Sequence, residues 1–361
     1  MTPHFHPLTI RAIQRETADA VSLAFTVPPA LQDTYRFTQG QHLTLRAAID
    51  GQEVRRSYSI CSGVDDYLQR GELQIAVKRV EGGVFSRFAT QALQAGDTLD
   101  VMAPDGRFFT PLDPAQARHY VAFAAGSGIT PVLSLIKTTL AREPASRFTL
   151  IFGNRSTDSI LFREQLEDLK NRYLQRFALH HVLSRAPSEL ALHHGRIDAD
   201  KCSAFLRLIP PDSIDDAFVC GPADMIDVVE RALIDAGVPA ARVHTERFGV
   251  PVAAAAPAAA PAPAEAGDLV PLTVVLDGKQ HALALPRHGA SVLDAALAAG
   301  LDLPYACKGG VCCTCRARVL EGSVTMDKNY TLEDAEIAQG FVLTCQSHPT
   351  SERLTVSFDE R

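Results

Sequence analysis

The stretch Tyr305–Cys315 reads "YACKGGVCCTC" and places four of the chain's eight cysteines within nine positions, while a fifth, Cys345, stands alone downstream. Thiols this crowded can be disulfide staples, a zinc site, an iron–sulfur site or a cysteine-rich loop. The opening "MTPHFHPLTI" has neither the basic start nor the apolar core of a secretory signal. No run of about 18 apolar residues occurs that would span a membrane. A cytoplasmic protein is expected, in which thiols stay reduced and clustered cysteines serve as ligands more readily than as disulfides.

Spacing then separates the ligand options. Cys307, Cys312 and Cys315 form C-x4-C-x2-C, and Cys345 supplies a distant fourth thiol. That is the spacing of plant-type [2Fe–2S] centres. Two tetrahedral irons that share two sulfides need two thiolates each; a tight loop gives three and a returning segment the last. Gly309 and Gly310 let the backbone turn with positive φ and approach the sulfides closely, and N–H groups of the loop can donate to sulfur. Zinc prefers paired C-x2-C knuckles, and only one such pair is present. Cys313 breaks the ligand spacing and reads as a small filler; Cys61 and Cys202 read as packed thiols.

Around this loop, "LTVVLDGKQHALALP" reads as a hairpin, "SVLDAALAAG" as an amphipathic helix and "LTVSFD" as a closing strand. Residues 269–361 thereby resemble the plant-type ferredoxin domain, a β-grasp fold. The resemblance implies that Cys307 and Cys312 hold the outer iron and Cys315 and Cys345 the inner one. Upstream lies "VPVAAAAPAAAPAPAEAG" (250–267), whose Ala/Pro bias cannot build a core. It reads as a semi-rigid spacer (linker 249–268) with an extended reach of roughly 55 Å, at about 3.1 Å per residue.

Before the spacer the texture changes near residue 114. Residues 1–113 contain short β-rich stretches, "LTIRAIQ", "AVSLAFTV", "QHLTLRAAI", "VRRSYSI", "LQIAVKRV" and "DTLDVMAP", interrupted by one helix-like piece, "GVFSRFATQAL". They suit a small antiparallel β-barrel. From 114 to 248, strands such as "HYVAFAA" and "RFTLIFG" alternate with helical patterns such as "ITPVLSLIKTTL" and "PADMIDVVERALIDAG". Alternation of that kind predicts an α/β layer on a parallel sheet. The expected whole is a multidomain α+β protein: β-barrel, α/β parallel-sheet domain and β-grasp domain. A hydrophobic content of 46% with 21% charged residues is that of a globular chain, and a net charge of −7 argues against nucleic acid as a partner.

A cluster moves one electron at a time, whereas a nicotinamide delivers two as hydride. Joining them requires a flavin, and candidate sites for flavin and nucleotide are present. "RRSYSICS" offers Arg56 for a diphosphate, Tyr58 to cover a flavin ring, and Ser57 and Ser59 for polar edges. Downstream, Lys78, Gly83 and Ser86 in "VKRVEGGVFS" sit where glycines and a hydroxyl open a helix and cradle phosphate. In "AAGSGITP", Gly126 and Gly128 permit close approach to a pyrophosphate, with Thr130 and Pro131 in the helix's first turn. A second strand-to-helix corner carries Cys220, Gly221 and Pro222. Residues 7–248 resemble the ferredoxin–NADP reductase superfamily, with R-x-Y-S, G-x-x-S, G-x-G-x-x-P and C-G-P in family order. The resemblance implies FAD on the barrel motifs, the dinucleotide at the glycine corner and Cys220 beside the nicotinamide. It also places Phe248 of "TERF" near the isoalloxazine, although a plain core role fits Phe248 too.

In "IFGNRSTDS", Arg155 and Ser156 suit the 2′-phosphate of NADPH, while Asp158 leaves NADH open. FMN is the alternative to FAD. Reductase first and ferredoxin last is one of two arrangements found in oxygenase reductases, and "CKGGVCCTC", the Ala/Pro tether and "GNRS" together resemble the reductase components of multicomponent di-iron oxygenases. The expected partner is therefore a di-iron oxygenase component of a multisubunit complex. Reductases of Rieske-type ring dioxygenases and a non-catalytic ferredoxin-like carrier are the alternatives. Asp327, Glu333, Asp334 and Glu336 form an acidic group that could steer a basic partner, and a solvated helix face explains them equally well.

Overall fold

A computed structural model of the chain describes residues 4–186, 190–249 and 269–360. They fall into two compact units, Phe5–Arg247, and Phe248 onward together with His4. The Ala/Pro segment lies outside the described residues.

The first unit opens with β1 (Phe5–Thr17), β2 (Ala20–Thr26), β3 (His42–Ile49), β4 (Gln52–Ser59), β5 (Leu73–Lys78) and β6 (Thr98–Met102). They form an antiparallel sheet in the order β4-β3-β6-β1-β2-β5, and a bridge from Ile60 to Ile75 joins the two ends into a barrel. Closure removes the exposed edges that the strands would otherwise present. Leu8, Ile10, Leu23, Leu43, Leu45, Ile75 and Val101 fill the interior, and the buried Tyr35 hydroxyl donates to the Val101 carbonyl at 2.7 Å. Two helices belong to this layer, α1 (Val64–Arg70) and α2 (Val84–Gln91). α2 is the helix expected from sequence; α1 is an addition. Its seven residues start where Asp66 accepts from the Gly63 N–H at 3.0 Å and stop at Gly71, whose φ of +63° suits glycine.

The parallel layer follows with β7 (His119–Ala125), α3 (Ile129–Arg142), β8 (Arg147–Asn154), α4 (Arg163–Arg172), β9 (Phe177–Leu183), α5 (Ala199–Leu208), β10 (Asp216–Cys220), α6 (Ala223–Asp235) and β11 (Val243–Glu246). The order is β11-β10-β7-β8-β9, parallel throughout. β7 is buried on both faces, which explains its continuous apolar run. Val121, Phe123, Ile151, Phe205 and Ile226 pack on one side of the sheet. On the other side, Ile129, Leu133, Phe148 and Phe152 share one core with barrel residues Ala20, Cys61, Ala76 and Phe108. Polar ties reinforce that seam. Two Arg142 nitrogens bond Asp65 of α1 at 2.9–3.2 Å, the Val64 N–H donates to the Thr138 hydroxyl at 3.1 Å, and Glu16 of β1 accepts from Ser22 and from the Phe162 N–H.

The second unit contains β12 (Leu269–Leu276), β13 (Lys279–Pro286), α7 (Val292–Ala298), β14 (Arg316–Glu321), β15 (Val324–Met326), α8 (Asp334–Ala338), β16 (Phe341–Leu343), β17 (Ser347–Pro349) and β18 (Leu354–Ser357). Five of these strands form a mixed sheet, β13-β12-β18-β14-β16, and β15 pairs with β17 alone. Val292, Leu293 and Ala296 of α7 pack into its core with Leu272, Val274, Val356 and Phe358. The β12–β13 turn is Asp277-Gly278, both at positive φ, the conformation such hairpins need.

Candidate functional site

Residues 304–315 run without regular secondary structure between α7 and β14 and carry three of the four candidate ligand thiols. The fold brings all four together as two hydrogen-bonded pairs, Cys307 with Cys312 and Cys315 with Cys345. Cys315 and Cys345 are buried, whereas Cys307 and Cys312 are half-buried. The hydrogen bond from the Cys312 thiol, helped by the N–H groups of Gly309, Val311 and Cys312, pulls the Cys307 thiol down to about 5. Gly309 makes that contact at 3.3 Å. Cys345 is lowered by its bond with Cys315, by Gln346 and by the Gly310 N–H, while Cys312 and Cys315 are raised as the protonated members of the pairs. Backbone donors aimed at sulfur stabilise thiolate. Among the described residues no three His, Cys, Asp or Glu converge on a position for a single metal ion. Two pairs, one inner and one outer, suit two irons with two thiolates each better than one tetrahedral zinc.

Gly310 has φ of +76°, and a Cβ there would meet the Lys328 carbonyl at 2.9 Å. Glycine is therefore required at this close approach. Cys313 packs against the core as the small filler expected, and it also holds a left-handed φ of +54° with its sulfur 3.0 Å from the Thr331 hydroxyl.

The dinucleotide candidates lie at the carboxyl ends of β7 and β10, where the sheet order reverses, the place at which open parallel sheets bind ligands. A Cβ on Gly128 would meet the Cys220 carbonyl at 2.1 Å, so the two corners abut and only glycine fits. Gly126 has φ of +55°, and Lys78 of the barrel reaches its vicinity, Nζ lying 3.9 Å from where a Cβ would stand. The Thr130 hydroxyl donates to the Ser127 carbonyl at 3.0 Å, and Pro131 follows it within the buried first turn of α3. Gly221 packs against Ala125 and Met225, and Pro222 precedes α6.

On the barrel, Arg56 is exposed and spends one N–H on the neighbouring Arg55 carbonyl at 2.7 Å, leaving most of its donors available. Tyr58 lies beside Phe85, with centroids 5.5 Å apart, and burial raises its hydroxyl pKa. Ser57 bonds Thr44 across the strands at 3.1 Å. Ser86 accepts from the Val80 N–H at 3.1 Å and donates to the Gly83 carbonyl at 3.3 Å, shaping the loop that leads into α2.

Two further residues stand at these candidate sites without a motif to mark them in the sequence. Glu246 stands opposite Cys220 in the β10–β11 register, and its carboxylate accepts from Ser59 at 3.2 Å. Burial pushes this carboxyl up to about 8. Arg185 follows β9, and its N–H donates to the Arg155 carbonyl at 2.8 Å, so two exposed arginines stand side by side at the edge of the sheet. Ser156 lies next to them, its N–H held by Ser159 at 3.0 Å. Phe248 is 46% exposed and belongs with the second unit. Of the acidic group, Glu336 pairs with Arg316 at 2.7 Å and Asp327 with His348 at 3.1 Å; Glu333 and Asp334 are exposed.

Family models agree with this layout: an oxidoreductase FAD-binding domain matches residues 7–109, an oxidoreductase NAD-binding domain 123–231 and a 2Fe-2S iron-sulfur cluster binding domain 274–350. The chain is 47% identical to one of the subunits of the 1,2-phenylacetyl-CoA epoxidase of Escherichia coli (strain K12), over 99% of this chain and 98% of that one. It is 36% identical to the ferredoxin reductase component of 3-ketosteroid-9-alpha-monooxygenase of Rhodococcus rhodochrous, over 97% and 96%. The solved structure of phthalate dioxygenase reductase, described as a modular structure for electron transfer from pyridine nucleotides to [2Fe-2S], is similar with a TM-score of 0.57 and 25% identity, over 98% of both chains. No helix among the described residues is long and apolar enough to cross a membrane. A barrel for flavin, a parallel sheet for nucleotide and paired thiols for a cluster, matched from end to end by such relatives, make this chain a member of the family of NAD(P)H-dependent flavin and [2Fe–2S] reductase components of oxygenases.

Proposed function

We propose that the chain carries electrons from NADPH through FAD and a [2Fe–2S] cluster held by Cys307, Cys312, Cys315 and Cys345 to the di-iron oxygenase component of a phenylacetyl-CoA epoxidase. The observation that carries this reading is the pairing of the thiols on a chain that also bears the flavin and nucleotide corners. The likeness to the Escherichia coli epoxidase component supports the choice of partner. The working parts are a flavin barrel (1–113), a nucleotide layer (114–248), a spacer (249–268) and a cluster module (269–361), acting in the cytoplasm.

Bound flavin supplies the conversion between a hydride and two single electrons. The chain positions and protects. Arg56 offers its guanidinium to the diphosphate, and Tyr58 gives a flat, largely buried face for the ring system. Gly126, Gly128 and Gly221 keep this corner free of side chains, and with Pro222 they would admit the nicotinamide half beside Cys220 and Ser59. Ser59 and Glu246 hold an exchangeable proton at that corner. Arg155, Ser156 and Arg185 offer donors to a 2′-phosphate, which supports NADPH over NADH. Loop N–H groups around Cys307 and Cys345 hold negative charge on sulfur.

The test is an anaerobic NADPH titration followed optically and by EPR, then reconstitution with purified oxygenases. Flavin bleaching, a reduced-cluster EPR signal and phenylacetyl-CoA epoxidation are expected. Coupling only to a Rieske-type dioxygenase would move the partner assignment to that class, and the absence of NADPH oxidation with ferricyanide would leave a mere carrier.

A further inference from the structure

The cluster loop holds three residues at left-handed φ: Lys308 (+50°), Gly310 (+76°) and Cys313 (+54°). Only one of them is glycine, and non-glycine residues persist in that conformation only where their surroundings hold them. Lys308 is held at both ends, its ammonium by Asp294 at 2.8 Å and its carbonyl by the Gln346 side-chain amide at 3.1 Å. Gly310 and Cys313 are held from one segment, Asp327–Leu332. The Tyr330 N–H donates to the Gly310 carbonyl at 3.1 Å, the Lys328 carbonyl lies 2.9 Å from where a Cβ on Gly310 would stand, and the Thr331 hydroxyl meets the Cys313 sulfur at 3.0 Å.

The segment is itself well braced. The Asp327 N–H donates to the Gln346 carbonyl at 2.9 Å, next to Cys345. Asn329 accepts from the N–H groups of Thr331 and Leu332 at 3.2 and 2.8 Å, and Leu332 is buried in the core. Its approach from β15 hangs on a two-stranded ladder outside the main sheet, so these contacts and not sheet pairing fix it over the loop.

We propose that Asp327–Leu332 is a positioning strap for the cluster loop, and that the Cys313–Thr331 bond is the side-chain fastening that holds the half-buried Cys307–Cys312 edge in place. Cys313 is a positioning residue and not a ligand. Its neighbours Cys312 and Cys315 point their sulfurs into the two thiol pairs, while its own sulfur is turned to the strap. The inference rests on the assignment of the four thiols to a cluster.

The experiment uses the full-length, cluster-loaded chain and measures the rate of bleaching of the visible cluster band in excess chelator, with a dithionite redox titration and the flavin absorbance as controls. Thr331→Val and Cys313→Ala are expected to bleach about fivefold faster than wild type, the effect of one lost hydrogen bond, and to shift the cluster midpoint. Cys313→Ser and Thr331→Ser, which keep a donor and an acceptor, are expected to stay within about twofold. The double variant Cys313→Ala/Thr331→Val is expected to be no faster than either single one, because one contact is removed twice. Single variants that bleach at the wild-type rate, or a double variant whose effects multiply, would overturn the strap. So would a Cys313→Ala protein with no cluster alongside a Cys312→Ala protein that keeps one. Wild type without acid-labile sulfide would overturn the thiol assignment itself, a different failure from loaded wild type with unaffected variants.

Discussion

Glu246 closes β11 opposite Cys220, with a carboxyl pushed up to about 8 by burial. A carboxyl whose folded pKa exceeds its unfolded value binds more protons in the folded state between the two, so its contribution weakens stability as pH rises from about 4.5 to about 8. Glu246→Gln should remove that slope, checked by denaturant midpoints between about pH 5 and 9. At the nucleotide end, Arg155 and Arg185 stand exposed beside each other. Replacing either by alanine should raise the KM for NADPH about tenfold or more, since hydrogen bonds to a charged group contribute about 1.5–3 kcal/mol. The KM for NADH should hardly move, and steady-state kinetics with both nucleotides decides it. Arg155 is legible as a candidate because it follows a strand of known type. Arg185 and Glu246 are not, because each reaches its site only through strand register, Arg185 beside Arg155 and Glu246 opposite Cys220. Register between distant strands leaves no mark within a single window of sequence.

The elements were largely legible where a clear period ran long enough. The unbroken apolar run of β7, the helical pattern of α3 and the hairpin of β12 and β13 all stand where the residues placed them. α1 is hard to read in sequence because "VDDYLQR" is barely two turns and puts two acids directly after Val64, a composition that reads as loop. Its stability comes from caps and from Arg142 across the seam, not from its own propensity. α8 carries a correction of another kind. Glu336 reads in sequence as a docking charge or a solvated helix residue, yet Arg316–Glu336 is 16% and 13% exposed and anchors α8 to the strand that leaves the cluster loop. Breaking one side of such a pair costs about 3 kcal/mol. Glu336→Gln should therefore lower the melting temperature of the cluster-bearing unit, seen by following the cluster band on heating, with little effect on NADPH–ferricyanide turnover.

At the level of the whole molecule, we propose from the Ala/Pro composition of 250–267 a spacer that lets the cluster module visit flavin and oxygenase in turn. Deleting residues 253–264 should slow reduction of the oxygenase more than NADPH–ferricyanide turnover, and stopped-flow traces for the two acceptors give the comparison; equal slowing would count against shuttling. The texture of the sequence marks a border near residue 114, between barrel and parallel layer. Texture records local periodicity, whereas Ala20, Cys61, Ala76 and Phe108 packing with Phe148 and Phe152 is a long-range fact that no local pattern reports. That common interior carries a calorimetric consequence. Neither half can lose its packing without stripping the other's, so heating should give a single endotherm for Phe5–Arg247, with equal calorimetric and van't Hoff enthalpies, and a protease nick introduced near residue 114 should leave the two pieces co-eluting.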